Sequence, residues 1–319
     1  MSAQRRSLFL ILLLSVSALL FAGGSGEKPE EVLKIGLLPD ADSLPFLVAR
    51  EEGLFSDAGA AVELLMFQNP VERDAAFQAG QIDGIIADTI GSILLFTGGM
   101  DVRIASITTG RYGLAAAPGS DARSPADLAG KEIGGSSNTV IEYVASSLLR
   151  EAGVPDSGFK PLAVPKIPVR MELLLNGKLS AACLPEPLYA LAVARGAVPL
   201  GDSKALGMDP GVMLFAGEVL RERSDELVRV YRAYWEACRS INADPDAYRD
   251  FLVDVMGFPP VIKESFSFVE YEYPRLPDPQ EIVSAADWMI QRGMIEAAPV
   301  YEALCFGTLV EELEQYDPR

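Results

Sequence analysis

Ser136-Ser137-Asn138-Thr139 is the stretch of this 319-residue chain best equipped to meet a ligand. It follows a strand pattern at Glu132 to Gly135 and opens an amphipathic helix pattern from Asn138 to Glu151, with Val140, Val144 and Leu148 on one side. The hydroxyls and unpaired N–H groups of a helix start then face one point, which suits a carboxylate, a sulfonate or a ring nitrogen. The same residues also make a plain N-cap, the commoner role of such a run.

Four acids stand just past other strand patterns: Asp40, Asp42, Asp88 and Glu186. Lining one cleft, they would favour a ligand with N–H donors or positive charge. Capping a helix is an equal alternative for Asp40 and Asp42. Glu186 is the leading single candidate, because Pro185 and Pro187 fix its backbone and aim its side chain. Ser43 can cap the helix that begins at Leu44. Phe67 and Tyr189 could stack on a flat ligand, although aromatics at strand ends are more often core. Gln68, Thr89, Thr109 and Lys166 complete the loop-end set.

These residues suit binding better than catalysis. The chain has no histidine, which removes His-dependent triads, HExxH zinc sites and imidazole acid–base chemistry together. Cys183, Cys238 and Cys305 lie far apart in apolar runs and read as buried thiols; a Cys238–Cys305 pairing is left open. Ser157-Gly158-Phe159-Lys160 fits SxxK but enters a strand. Gly130-Lys131-Glu132 lacks the Gly-rich lead of a P-loop, and no GxGxxG occurs. No metal or cofactor is expected.

The elements that must position the candidates come in two copies. Residues 75–104 recur as 172–200 at an offset of 97, pairing Gly80 with Gly177, Asp88 with Pro185, Thr89 with Glu186 and Gly99 with Gly196. Leu33-Lys34-Ile35-Gly36 and Lys131-Glu132-Ile133-Gly134 extend the echo backwards with little drift. Each copy reads as strand–helix units with parallel strands, so the fold class is α/β with two similar halves. Ligands bind beyond the C-terminal ends of such strands, and two facing halves make one cleft. Further strand patterns lie at Val62–Phe67, Val102–Thr108, Tyr112–Ala117, Lys160–Val164 and Gly211–Phe215. From Glu218 to about Met256 the chain reads as helical and charged, followed by helices at 278–292 and 299–315.

Residues 1–26 read as an export signal: Arg5 and Arg6, an apolar core from Leu8 to Phe21, then Ala22-Gly23-Gly24. The core is short for a membrane span. Leu20-Phe21-Ala22-Gly23 looks like the run before a lipoprotein cysteine, but Gly24 stands in that place, so export without a lipid anchor is expected. The formal charge of −18 argues against nucleic acid and anionic membrane surfaces as partners.

Ile35-Gly36, Pro45, Ala49-Arg50-Glu51-Glu52-Gly53-Leu54-Phe55 and Gly59, followed by Glu72-Arg73-Asp74-Ala75 and Gly80-Gln81-Ile82-Asp83, resemble the substrate-binding proteins of bacterial ABC importers. The likeness is to the branch handling nitrate, sulfonates, taurine and thiamine pyrimidine precursors. Leu128-Ala129-Gly130-Lys131 and Pro185-Glu186-Pro187 fit it too. The resemblance implies a type II periplasmic-binding fold: two Rossmann-like lobes on a hinge of two crossing strands, near 112–118 and 210–217. The first lobe would take 27–112, the second 113–210, and 211–319 would return to the first lobe as a helical tail. It further implies a monomer that captures a small solute outside the membrane and hands it to a permease and its ATPase. The ligand is open between an aminopyrimidine, a sulfonate, nitrate and an amino-acid-like zwitterion. The alternatives are an enzyme on the same fold, resembling menaquinone-pathway enzymes through Gly36-Leu37-Leu38-Pro39-Asp40-Ala41-Asp42, or a sensing module for a membrane receptor.

Overall fold

A computed structural model describes residues 32–316. Residues 1–26, read above as an export signal, and nearly all of the linker after them lie outside the described residues. Among the described residues no helix is long and apolar enough to cross a membrane.

Two five-stranded sheets form the frame. In the first, β1 (Leu33–Leu37) lies parallel to β2 (Val62–Met66) on one side and β3 (Gly84–Asp88) on the other. Leu33, Ile35 and Leu37 are fully buried, as are the central residues of β3, which is the apolar run expected of a strand covered on both faces. The order is β2-β1-β3-β10-β4, with β4 at Val102–Ile107 and β10 at Gly211–Ala216. The second sheet repeats it as β7-β6-β8-β5-β9: Lys160–Ala163, Glu132–Gly135, Ala181–Pro185, Tyr112–Ala116 and Val198–Asp202.

The expectation of wholly parallel sheets needs one correction. β10 runs antiparallel to β3 and β4, and β5 runs antiparallel to β8 and β9. The chain crosses between sheets at 108–111 and 203–210, where β4 and β9 end. A strand entering the other sheet from its C-terminal edge has to run backwards relative to the strands already there.

Helices α1 (Leu44–Glu51), α2 (Leu54–Asp57), α3 (Pro70–Gln78) and α4 (Thr89–Thr97) belong to the first sheet's units. Helices α5 (Val140–Glu151), α6 (Ile167–Leu175) and α7 (Leu188–Ala194) belong to the second's. Asn69 caps α3 by accepting from the N–H of Glu72 at 3.0 Å, with Pro70 in the first turn. Gly80 and Gly177 end the paired helices α3 and α6 at φ of 67° and 64°, a left-handed turn that glycine adopts at little cost.

The tail is more broken than its charge pattern suggests. It forms α8 (Gly217–Glu222), α9 (Ser224–Ala243), α10 (Arg249–Asp254), α11 (Ile262–Ser265), α12 (Pro279–Gln291), α13 (Tyr301–Leu304) and α14 (Thr308–Tyr316). The long helix stops at Asp244-Pro245, where proline cannot continue it. The 299–315 helix breaks at Cys305, which instead makes a single parallel bridge to Ile104. α9 packs on α1 and α2, and α12 packs on α4, so most of the tail covers the first sheet's helices. α11 also reaches α7 of the second half, and Tyr143 of α5 meets Trp288 of α12 with ring centroids 5.2 Å apart. Cys183, Cys238 and Cys305 are free and buried, so the Cys238–Cys305 pairing does not form.

Candidate functional site between the two sheets

The C-terminal ends of both sheets meet at one small cavity of about 30 Å³. Asp40, Pro70, Arg73 and Asp88 come to it from one side, and Tyr112, Thr139, Ile167 and Arg170 from the other. Backbone hydrogen bonds join the two sides around it. Ala41 N donates to Glu186 O at 2.7 Å, and Ile167 N to Gln68 O at 3.4 Å.

Two buried arginines define the floor. Arg73 sits on α3 and sends Nη1 to Ile86 O at 2.5 Å. Arg170 sits on α6 and sends Nη1 to Cys183 O at 2.8 Å. Both pairs are related by the same offset of 97 residues. Each arginine stem crosses a strand glycine: a Cβ on Gly36 would lie 3.3 Å from Arg73 Cγ, and one on Gly134 3.5 Å from Arg170 Cγ. The two differ in charge balance. Arg73 pairs with Asp74 at 2.7 Å. Arg170 meets only carbonyl oxygens, those of Val164, Cys183 and Pro165. Burial lowers its pKa to about 10, which still leaves it charged at neutral pH. A buried cation held by dipoles alone leaves room for an anionic partner.

Asp40 and Asp88 share the cavity and feel the charge of Arg73. Asp40 is pushed well above the ordinary carboxylate range, first by burial and then by the charge of Asp42. Asp88 is raised by burial, while the N–H of Gly91 and the charge of Arg73 pull the other way. Asp88 caps α4 by accepting from Gly91 N at 2.8 Å, and the N–H of Val140 at the start of α5 also favours its charged form. Asp42 points to the crossing segments, where Thr108 Oγ1 donates to its Oδ1 and the Tyr112 hydroxyl to its Oδ2 at 3.3 Å. Burial raises Asp42 to about 6.

Of the fourteen sequence candidates, Asp40, Asp88 and Thr139 line this cavity. Ser43 stands at the helix start but makes no cap; its hydroxyl donates to Asp40 Oδ1 at 2.8 Å and accepts from Leu38 N, holding the Asp40 loop. Glu186 is buried, but its Oε2 accepts from Ala190 N at 3.0 Å, so it caps α7 rather than facing the cavity. Tyr189 lies against Gly113, and Phe67 packs on the core, so neither offers a stacking face here. Ser136 is buried beside Thr139, whose Oγ1 donates to Ser136 O at 2.8 Å. Ser137 and Asn138 point to solvent, with Asn138 in the left-handed region at φ 59°. Lys166 and Gln68 are exposed at the rim. Thr89 is buried, with its N–H on Pro210 O, and Thr109 accepts from Glu272 N on the far side of the crossing segments. Arg73 and Arg170 were missed. The signal was available, because the offset that pairs Gly80 with Gly177 also pairs these two arginines one helix earlier.

The family model described as NMT1/THI5 like matches residues 40–247, about two thirds of the chain. A search of curated protein sequences gives no match. Among solved structures, the ligand-binding component of an ABC-type import system from Staphylococcus aureus, with zinc bound, superposes at a TM-score of 0.77 with 16% identity, covering 89% of this chain and 99% of that one. The alkanesulfonate-binding protein SsuA from Xanthomonas axonopodis pv. citri, bound to MOPS, gives 0.73 with 18% identity, covering 88% and 98%. The desulfurization enzyme DSZB gives 0.64 with 16% identity, covering 90% and 99%. The chain therefore belongs to the NMT1/THI5-like family and has the two-lobed fold of periplasmic binding proteins.

Proposed function

We propose that this protein is an exported solute-binding protein that closes on a small organic solute between its lobes and delivers it to the permease and ATPase of an ABC importer. The observation that carries this reading is the pair Arg73 and Arg170, one buried arginine from each half, both lining a cavity that the two halves build. A cavity of about 30 Å³ holds roughly one water-sized group, so a solute enters only when the lobes part. Two crossing segments are the natural hinge for that motion.

The ligand that fits carries both charges. Arg170, short of an anionic partner, takes a carboxylate or sulfonate, and Asp40 and Asp88 take an amine or other N–H donors. The buried thiols give an enzymatic reading no support. Burial pushes the Cys183 thiol up to about 12 and the Cys238 thiol higher, which keeps both protonated and unreactive.

A thermal-shift panel on residues 27–319 tests the proposal, with aminosulfonates, amino acids, alkyl sulfonates, nitrate, aminopyrimidines and polyamines. A ligand at about a hundred times its Kd adds roughly 2.7 kcal/mol, which raises Tm visibly. One class of hits, lost in Arg170→Gln, supports the reading. Hits that survive Arg170→Gln and Asp40→Asn unchanged would place binding elsewhere, and release of a reaction product would make the protein an enzyme.

A further inference from the structure

A much larger groove, about 740 Å³, shares no lining residue with the inter-lobe cavity. Its walls are the two crossings, at Thr109–Arg111 and Ser203–Asp209, together with Trp235 of α9 and the tail residues Val269–Arg275. The volume is that of a small-molecule site.

The groove's charges divide into paired and unpaired ones. Arg275 is committed to Asp209 at 3.3 Å and Glu272 at 3.0 Å. Arg111 and Lys204 line the same groove, one from each crossing; among the described residues neither has a carboxylate oxygen within 4.0 Å, and their charges act only at longer range, on Glu186 and Asp209. The remaining carboxylate, Glu270, is exposed. Beside them Trp235 and Tyr273 meet edge to face, with centroids 5.2 Å apart at 76°. That geometry leaves an aromatic corner in which a flat ring can lie on one face and against one edge.

We propose that this groove is a second ligand site, specific for a flat organic anion of the aromatic carboxylate class. The carboxylate bridges Arg111 and Lys204, and the ring sits in the Trp235–Tyr273 corner. Because the two cations belong to different crossings, a bridging anion fixes the separation of the crossings and thereby biases the opening of the lobes. Binding here and binding between the lobes then alter each other by the same factor. The site itself does not depend on the identity of the inter-lobe solute.

Isothermal titration of the chain with benzoate tests this, with benzamide as the uncharged control and cyclohexanecarboxylate as the non-flat one. We expect saturable 1:1 binding of benzoate, weaker by about tenfold or more for both controls and for the double variant Arg111→Gln/Lys204→Gln. Both variant positions are at least partly exposed, so folding is retained and is checked by Tm. Benzoate that fails to saturate by about 10 mM overturns the site. So does benzoate binding that is lost in Arg170→Gln and kept in the double variant, because the anion would then occupy the inter-lobe cavity.

Discussion

Arg292 and Glu142 join the tail to the second half of the molecule. Arg292, just past α12, donates to Glu142 Oε1 and also reaches Asp156 at 3.1 Å. The other oxygen of Glu142 accepts from Asn138 N at 2.8 Å, so one carboxylate ties the tail to the Ser136–Thr139 loop. The Arg292 guanidinium also lies 4.8 Å from the Trp288 ring centre. Replacing Arg292 with Met leaves Glu142, 9% exposed, without its cation. The expected loss is about 2 kcal/mol in chemical denaturation, together with weaker inter-lobe ligand binding. Unchanged stability and affinity would show that the contact does not hold the lobes together.

Arg170→Met should cost more than Arg73→Met. Removing Arg170 strands three carbonyl oxygens, while Arg73 has one carbonyl and the partly exposed Asp74. At about 1 kcal/mol or more for each unmet buried acceptor, the difference should show as a clear gap between the two denaturation midpoints. Equal midpoints would mean that water satisfies the carbonyls.

Glu186 gives the fold a pH dependence of definite sign. Burial raises its pKa from 4.5 to about 7, so the folded state binds the proton more tightly than the unfolded one. That contribution is fully present below pH 4.5 and fades as pH rises through about 7. Asp42, raised from 3.8 to about 6, acts in the same direction over a lower window. Tm measured from pH 5 to pH 8 should therefore fall less steeply in Glu186→Gln, whose amide oxygen can still accept from Ala190 N. A wild-type slope retained in the variant would assign the effect to other groups.

Gly110 bears on the hinge. A Cβ there would lie 2.1 Å from Asp42 Oδ2, and one on Gly211 2.6 Å from Asp42 Oδ1. Gly110→Ala should drive Asp42 from Thr108 and Tyr112 and spread the crossing segments, at a cost of about 1–3 kcal/mol. Small-angle scattering should report a larger radius of gyration than wild type. An identical radius with lowered Tm would confine the damage to local packing.

The proposed delivery step requires an exposed face on which a permease can dock. β2 and β7 are the outermost strands of their sheets, and the exposed apolar residues Met66, Val71, Leu162 and Val169 stand on them or at the helix starts beside them. Val71→Glu with Val169→Glu should leave solute affinity unchanged and reduce stimulation of the permease ATPase in reconstituted vesicles. Full stimulation would move the docking face elsewhere.

Periodicity and glycine spacing were enough to read the elements of the two halves. β2, β4, β5, β10 and α5 begin and end within about two residues of their patterns, because apolar periodicity is a local constraint written into the chain. The duplication was legible for the same reason, and the family likeness gave the two-lobed fold and its crossing strands. What the chain could not show locally was the direction in which each side chain is spent. Glu186 looked aimed by its prolines, yet the N–H of Ala190 claims its carboxylate. Phe67 and Tyr189 went to packing, and Ser43 turned to Asp40 instead of its own helix. Arg73 and Arg170 were not among the candidates read from the sequence. Only the sheets, by bringing strand carbonyls under each helix, made them buried cations lining one cavity. Secondary structure is fixed by neighbours along the chain, whereas the partner of a polar group is fixed by whichever distant backbone folding brings within hydrogen-bond reach.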